Sequence, residues 1–266
     1  MTIGMVADGP LRVQRDGEHV LVVTMNRPEV LNAIDAGMGQ AMHDLVMRLA
    51  DDPQWVRAVV LTGAGRAFCT GADLKIRHDQ DVRELVARHR VAERTYALRC
   101  ESPVPWIAAV RGPCYAGGLE AALTCDFIYA EPDARFAMTE CRLGQMPGCM
   151  GTQLLPRAVG ERRAKELILS ARPFDAAEAH RWGLVNELCE PGTVLERALT
   201  TARQIAACAP LSVRQAKKAI HHGLQTDLHT GYRYELEAWH ALIGTEDRRE
   251  GVAAFVEKRQ PVFRGR

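Results

Sequence analysis

No apolar run in the chain approaches the roughly 20 residues needed to cross a bilayer. Stretches such as Val56 to Leu61 or Pro105 to Val110 are strand-length. Net charge is nearly absent as well, +1 over 266 residues with a pI near 7.6. Such a balance gives no overall field to draw in nucleic acid or an anionic membrane. The eight cysteines (69, 100, 114, 125, 141, 149, 189, 208) include no C-x-x-C pair. The opening segment MTIGMVADGP has neither a basic leader nor an apolar stretch, so no secretory signal and no disulfide framework are expected. His221 and His222 are adjacent and would point apart on a helix, and no other His or Cys pair has ligand spacing, so no metal is expected. The cysteines read as small buried hydrophobes. Low-complexity tracts and sequence repeats are missing too. The expectation is a cytoplasmic protein with no membrane attachment.

What is present suits one sizeable core. Hydrophobic residues make up 47% and charged residues 25%, near the averages for globular proteins. Leu11 to Arg15 and His19 to Met25 flank Asp16-Gly17, a hairpin signal. Met38, Met42, Leu45 and Leu49 recur at helical spacing and stop before Asp51-Asp52-Pro53. Strand-like runs follow at Arg57 to Thr62, Trp106 to Val110, Asp126 to Ala130 and Arg135 to Met138. A strand–turn–helix rhythm of this kind predicts an α/β layer architecture with sites at strand ends.

After about Leu188 the pattern is helical only. Leu195, Leu199, Ala202 and Ile205 form one stripe, and Val213, Ala216, Ile220 and Leu224 a second, with Ser212 as its expected N-cap. Tyr232, Leu236, Trp239 and Ile243 form a third, and Val252 and Phe255 lead to the end. Such stripes require cover from the preceding region or from another subunit. The division expected is a core over 1–190 and a helical region over 191–266. ERRAKE (161–166) and EDRRE (246–250) mix signs and read as solvated helix faces. The segment Asp81 to Arg99 carries five arginines against three acids, with Val82, Leu85, Val86, Ala92 and Tyr96 opposite, as in an amphipathic surface helix.

Chemistry concentrates in two turns and two carboxylates. In AGGLE (Ala116 to Glu120) two glycines precede a helix whose first turn leaves N–H groups without partners. Those groups and the helix dipole suit a developing oxyanion. The turn in FCTGADLK (Phe68 to Lys75) offers the same arrangement at Ala72. Each turn alone is equally compatible with an ordinary tight turn. Glu120 is flanked by Leu119, Ala121, Ala122 and Leu123, so partial burial and a raised pKa are expected. Glu140 follows a strand, and its neighbours alone are compatible with a surface glutamate.

Several long motifs resemble the enoyl-CoA hydratase/isomerase, or crotonase, family. They are NRPEVLNAID (Asn26 to Asp35), VVLTGAGRAFCTGADLK (Val59 to Lys75), AGGLEAALTCDFIYA (Ala116 to Ala130), LGQMPGCMGTQLLPRAVG (Leu143 to Gly160) and the ending AFVEKRQPVFRGR (Ala254 to Arg266). The resemblance spans essentially the whole chain in order. It implies a crotonase-like spiral of repeated ββα units followed by a C-terminal helical oligomerisation region, assembled as a homotrimer or hexamer. It implies that the Ala72 and Gly117 N–H groups bind the thioester oxygen of an acyl-CoA. Glu120 and Glu140 would then hold and activate one water for addition to an enoyl thioester. Retention of both glutamates favours hydratase over isomerase, retro-aldol cleavage or thioester hydrolysis on the same scaffold. No cofactor is implied, since coenzyme A is part of the substrate. The substrate would lie along Glu29, Val30, Ala72, Asp73, Leu74, Lys75 and Gly117, its adenine end near Glu29 and Val30 and its phosphates near Lys75. One branch of such proteins binds RNA, and Asp81 to Arg99 would be the place for it here, although no nucleic-acid partner is expected.

Several positions depart from the family's pattern, among them Met138 and Thr139 just before Glu140. Glu29 stands where many relatives have a basic residue, Met150 where they have glycine, and Leu154 where they have arginine. These departures imply altered acyl specificity, with the region beside Glu140 reshaped.

Overall fold

The Asp16-Gly17 turn closes a hairpin, with β1 (Leu11–Asp16) antiparallel to β2 (Val20–Met25) and Leu11 paired to Met25. A computed structural model describes residues 5–6, 8–53 and 55–266. The N-terminal segment in which no leader was expected therefore lies partly outside the described residues. A 3-10 turn at Pro28–Val30 leads into α1 (Ala36–Asp51). Asp35 caps α1 by accepting the Met38 N–H at 2.8 Å, satisfying a donor that the helix cannot. The expected stripe is the buried face: Met38, Met42, Leu45 and Leu49 all point inward.

From β3 (Ala58–Gly63) the chain winds as a spiral. Short α2 (Leu74–His78) and long α3 (Val82–Cys100) precede β4 (Trp106–Val110), β5 (Pro113–Tyr115) and α4 (Gly117–Leu123). The next turn contributes β6 (Phe127–Ala130), β7 (Arg135–Ala137), a 3-10 turn at Glu140–Leu143, α5 (Gly151–Val159) and α6 (Glu161–Ser170). Then come β8 (Phe174–Asp175), α7 (Ala176–Arg181) and β9 (Glu187–Leu188). The long sheet has the order β1-β2-β3-β4-β6-β9, parallel beyond its first pair. A second sheet, β5-β7-β8, stands beside it, and the backbone of Cys69 forms an isolated parallel β-bridge with that of Cys114 at its margin, both thiols remaining free. Two windings, β4-β5-α4 and β6-β7-α5, thus give one strand to each sheet and then a helix, the expected ββα unit, whereas the last runs β8-α7-β9.

Both faces of the long sheet are covered, which explains why β3 is apolar without alternation. Val59 and Leu61 face the main core with Leu21, Val23 and Trp106. Val20, Val60 and Ile107 face the other way, against Ala198, Leu199 and Ala202 of α8 (Val194–Ala206). The α8 stripe thus runs through Val194, Ala198, Ala202 and Ala206, whereas Leu195 is exposed. Small residues let the helix sit close on the sheet.

Three local readings change. α9 (Pro210–Gly223) starts two residues earlier than a Ser212 cap would allow, because Pro210 occupies the first helical position, where its missing N–H costs nothing. α3 is the expected surface helix, but it exposes Val82 and Val86 and buries Tyr96 together with Thr95 and Arg99, so only the last part of its apolar side meets the core. His221 and His222 do not point apart; their rings meet edge-on with centroids 5.3 Å apart. The last three helices, α9, α10 (Leu228–Ile243) and α11 (Glu246–Glu257), leave Leu224 79%, Trp239 60% and Phe255 85% exposed. Nothing in the chain's own core covers those side chains. No helix among the described residues is long and apolar enough to cross a membrane.

In ERRAKE, Lys165 pairs with Glu161 at the surface, as a solvated face requires. EDRRE is different. Asp247 is buried, and its carboxylate accepts the Arg264 and Gly265 N–H groups, each at 2.7 Å, while its own N–H donates to the Arg266 carbonyl. The tail is thereby folded back onto α11. Removing such a carboxylate leaves two half-buried N–H donors without an acceptor, a loss of about 1–3 kcal/mol and a Tm lower by roughly 2–10 °C. Thermal melting of Asp247→Ala against the parent chain checks this, with Asp247→Asn expected to fall between.

Candidate active site

Asn32 shapes the first wall of the site. It sits in the left-handed region at φ 57°, fully buried, and its Nδ2 donates to the carbonyls of Ala64 (2.8 Å), Ala67 (2.8 Å) and Phe68 (3.2 Å). Its Oδ1 accepts the Arg27 N–H at 2.9 Å. One amide thus pins the loop after β3 and sets the course of the chain into Cys69–Ala72. The Ile34 N–H donates to the Gly71 carbonyl and the Asp73 N–H to the Ile34 carbonyl, which holds the turn on both sides of Ala72. The Ala72 N–H itself meets no acceptor among the described residues. Asp73 is buried, and its carboxylate takes Arg27 Nη1 at 3.0 Å, so both its polar ends serve the turn. Leu74 and Lys75 are exposed on α2, and Glu29 is exposed on the 3-10 turn with Val30 half-buried beside it.

The second wall is the start of α4. The Tyr115 N–H donates to the Cys69 carbonyl at 2.9 Å, tying the two turns together. Gly118 must be glycine, because a Cβ there would come within 2.2 Å of the Cys69 carbonyl oxygen. Between them Ala116 adopts φ 51°, ψ −126°, a sparsely populated conformation for a residue with a side chain, held by its N–H to the Ala137 carbonyl at 2.8 Å. This twist frees the Gly117 N–H at the helix N-terminus, and it too meets no acceptor among the described residues. The two turns are in contact: a Cβ on Gly71 would lie 3.1 Å from Gly117 N. The two expected N–H donors are therefore neighbours.

Glu120 is one turn into α4 and only 3% exposed. Its Oε1 accepts the N–H groups of Cys149 at 2.7 Å and Gly151 at 3.0 Å. Burial raises its pKa above the ordinary carboxylate value, and those two donors, with the charge of His89, pull it back. Glu140 is 9% exposed, which rules out the surface reading, and its Oε2 is buried without a hydrogen-bond partner. Burial lifts its pKa to about 7; its own backbone N–H opposes the rise, and the nearby charge of Glu120 adds to it. One carboxylate is held in place by donors and the other is poised near neutrality. That divergence suits one group to take a proton and the other to give one.

The departures at Met150 and Leu154 point from sequence to the region beside Glu140, whereas the residues flanking Met150 are tied to Glu120. Met150 adopts φ 77°, between the two residues whose N–H groups hold that carboxylate. A glycine pattern there reflects a backbone need that Met150 meets under strain, since a left-handed residue with a side chain costs about 1–2 kcal/mol. Sequence reasoning missed Asn32, the two loop donors and the Tyr96 hydroxyl, which donates to the Gly117 carbonyl at 2.8 Å. All four act through backbone groups distant in sequence, so no local pattern marks them. Among the described residues no cluster of three His, Cys, Asp or Glu could hold a metal ion.

A family model described as enoyl-CoA hydratase/isomerase matches residues 15–266. The chain is 40% identical over 256 residues to the (E)-benzylidenesuccinyl-CoA hydratase of Thauera aromatica, covering 93% of this chain and 96% of that one. It is 39% identical over 253 residues to the short-chain-enoyl-CoA hydratase of Clostridium acetobutylicum, covering 93% and 95%. The crystal structure of enoyl-CoA hydratase from Bacillus anthracis superposes with a TM-score of 0.94 at 37% identity, over 97% of this chain and 100% of that one.

The carboxyl pair has a signature in solution. Glu140 holds its proton more tightly folded than unfolded, so its contribution to stability is full below about 4.5 and is lost as pH rises through about 7. Carbon-13 NMR of labelled glutamates should show one carboxyl titrating near neutrality. In Glu120→Gln that midpoint should fall, because a neighbouring negative charge is gone.

Proposed function

The chain belongs to the enoyl-CoA hydratase/isomerase family, and from that premise we propose that it adds water across the 2,3 double bond of an enoyl-CoA thioester. The observation that carries this reading is the meeting of two backbone donors with two buried carboxylates, one held by backbone N–H groups and the other with an oxygen left unbonded. Conjugate addition puts negative charge on the thioester oxygen as an enolate. Two aimed N–H groups in a dry site stabilise that charge more than water does, with one donor typically contributing about 2.7–4 kcal/mol. The Ala72 and Gly117 N–H groups form this oxyanion hole.

Glu120 and Glu140 divide the proton work. With Oε1 fixed by two donors, Glu120 offers its other oxygen to a water and accepts a proton from it. The hydroxyl oxygen then forms its bond to Cβ as the π electrons move to the thioester. Glu140, protonated in an appreciable fraction of molecules at neutral pH, gives its proton to Cα as the enolate collapses. One water has then entered the substrate, and proton exchange between the two carboxyls through solvent resets the site. This chemistry calls on no group beyond the chain and the coenzyme A of its substrate.

The substrate's adenine end lies by Glu29 and Val30, its phosphates near Lys75, and its thioester against Ala72, Leu74 and Gly117. Asp73 contributes from behind, by holding the turn through Arg27. Glu29 at the adenine end repels a 3′-phosphate, so that contact is weaker than one made by a basic residue. The exposed apolar faces of α9 to α11 suit packing against further copies of the chain, as a homotrimer or hexamer in the cytoplasm. The oligomerisation region spans 191–266. An RNA-binding role draws little support from α3, where Arg99 is buried rather than presented to solvent.

Kinetics on a short enoyl-CoA test the reading. Glu120→Gln and Glu140→Gln should each lower kcat by about 10²–10⁴-fold with the circular dichroism unchanged. The parent enzyme's product should be heavier than substrate by one water. Double-bond movement at constant mass would mean isomerisation, and full activity in either variant would remove that glutamate from the mechanism. Light scattering should give a particle of three or six chains; a monomer would overturn the assembly.

A further inference from the structure

Tyr96 lies on the last part of α3, buried, with its hydroxyl 2.8 Å from the Gly117 carbonyl and 3.9 Å from where a Gly117 Cβ would be. Burial pushes the phenol well above its ordinary pKa, so it stays a donor at any working pH. Its ring is fixed from the far side. The Arg99 guanidinium packs over it, Cζ to ring centroid 4.9 Å, and lies 5.6 Å from the Trp106 ring. Arg99 is itself fully buried, bonding through Nε to Thr124 Oγ1 at 2.8 Å and through Nη2 to the Ala121 carbonyl at 3.1 Å. Those two acceptors sit at the C-terminal end of α4, where a cation also meets the negative end of the helix. α3 thus grips α4 at both ends, by Tyr96 at Gly117 and by Arg99 at Ala121 and Thr124.

The grip at Gly117 bears on chemistry. The peptide that carries the Gly117 N–H belongs to Ala116, whose φ 51°, ψ −126° is strained, and it is followed by two glycines that resist rotation little. A strained peptide next to flexible residues relaxes unless something over-determines it. We propose that Tyr96 is a positioning residue for the reaction: its hydroxyl, braced by Arg99, locks the Gly117 backbone so that the neighbouring N–H stays aimed at the thioester oxygen. This rests on the reading of Ala72 and Gly117 as the oxyanion hole. Tyr96 touches no reacting atom. It acts through the peptide that follows Gly117, which fixes the one before it, and its loss should weaken transition-state stabilisation more than substrate binding.

The test compares Tyr96→Phe with Thr95→Val. Both delete one buried hydroxyl from the same helix; among the described residues the Thr95 hydroxyl bonds to the Val91 carbonyl and His43 alone. An aryl-conjugated enoyl-CoA serves as probe, since polarisation of its carbonyl shifts its absorption to longer wavelength. In Tyr96→Phe, kcat should drop by about tenfold or more while KM moves by less than about threefold, and the red shift on binding should shrink. Thr95→Val should keep the full shift and kcat within about twofold of the parent. An undiminished shift and rate in Tyr96→Phe would overturn the proposal, as would equal losses in both variants, which would mark a merely structural role. A parent enzyme with neither hydration nor a red shift would instead overturn the oxyanion-hole reading itself.

Discussion

The backbone of Cys69 and the start of α4 approach each other so closely that no side chain fits between them. Gly118 would place a Cβ within 2.2 Å of the Cys69 carbonyl oxygen, and the Tyr115 N–H closes on that same oxygen at 2.9 Å. The geometry of the site depends on this contact. It brings together two turns separated by more than forty residues, and each turn has one N–H that its own surroundings leave unused. A single α-helix N-terminus offers several donors that diverge around an axis. Two turns from different windings of the spiral can aim one donor each at a common point, and the ββα architecture supplies that registry. The second sheet, with the Cys69 backbone paired to Cys114, is the device that holds it.

Around this frame the electrostatics are unequal by construction. Glu120 lies deeper, yet its two backbone donors favour its charged form against burial. Glu140 has an oxygen with no donor at all, and the charge of Glu120 stands nearby. Burial alone would push both carboxyls in the same direction. The loop 148–151 makes them differ, and it does so through a left-handed residue, Met150, where a glycine would be less strained. The strain persists because Leu155 and Val159 of the helix that follows are anchored in the core.

Long periodic elements were legible in the sequence because one face meets one core: the Met38–Leu49 stripe, the continuous apolar run of β3 and the hairpin at Gly17. The strand-end placement of Glu120, Ala72 and Gly117 was legible for the same reason, through glycine and helix-start signals. Three of the misread features share a cause. Asp247 looked like one charge among several in EDRRE, but its partners are backbone groups 17 and 18 residues on, which no local pattern reveals. Ser212 has cap chemistry, yet Pro210 two residues earlier was the stronger helix start. α3 has apolar residues along one side, but only its last part reaches the core, so Val82 and Val86 remain in solvent. Tertiary context decided each case.

The resemblance in sequence and the geometry of the fold converge on hydration, and the central claim is spatial. A crystal structure with a bound enoyl-CoA or 3-hydroxyacyl-CoA tests it most directly. The account predicts the thioester oxygen at about 2.7–3.1 Å from both Ala72 N and Gly117 N, with Cα and Cβ lying between the carboxyls of Glu120 and Glu140. A thioester oxygen turned away from either N–H, or a chain whose Cβ lies out of reach of both carboxyls, would contradict it.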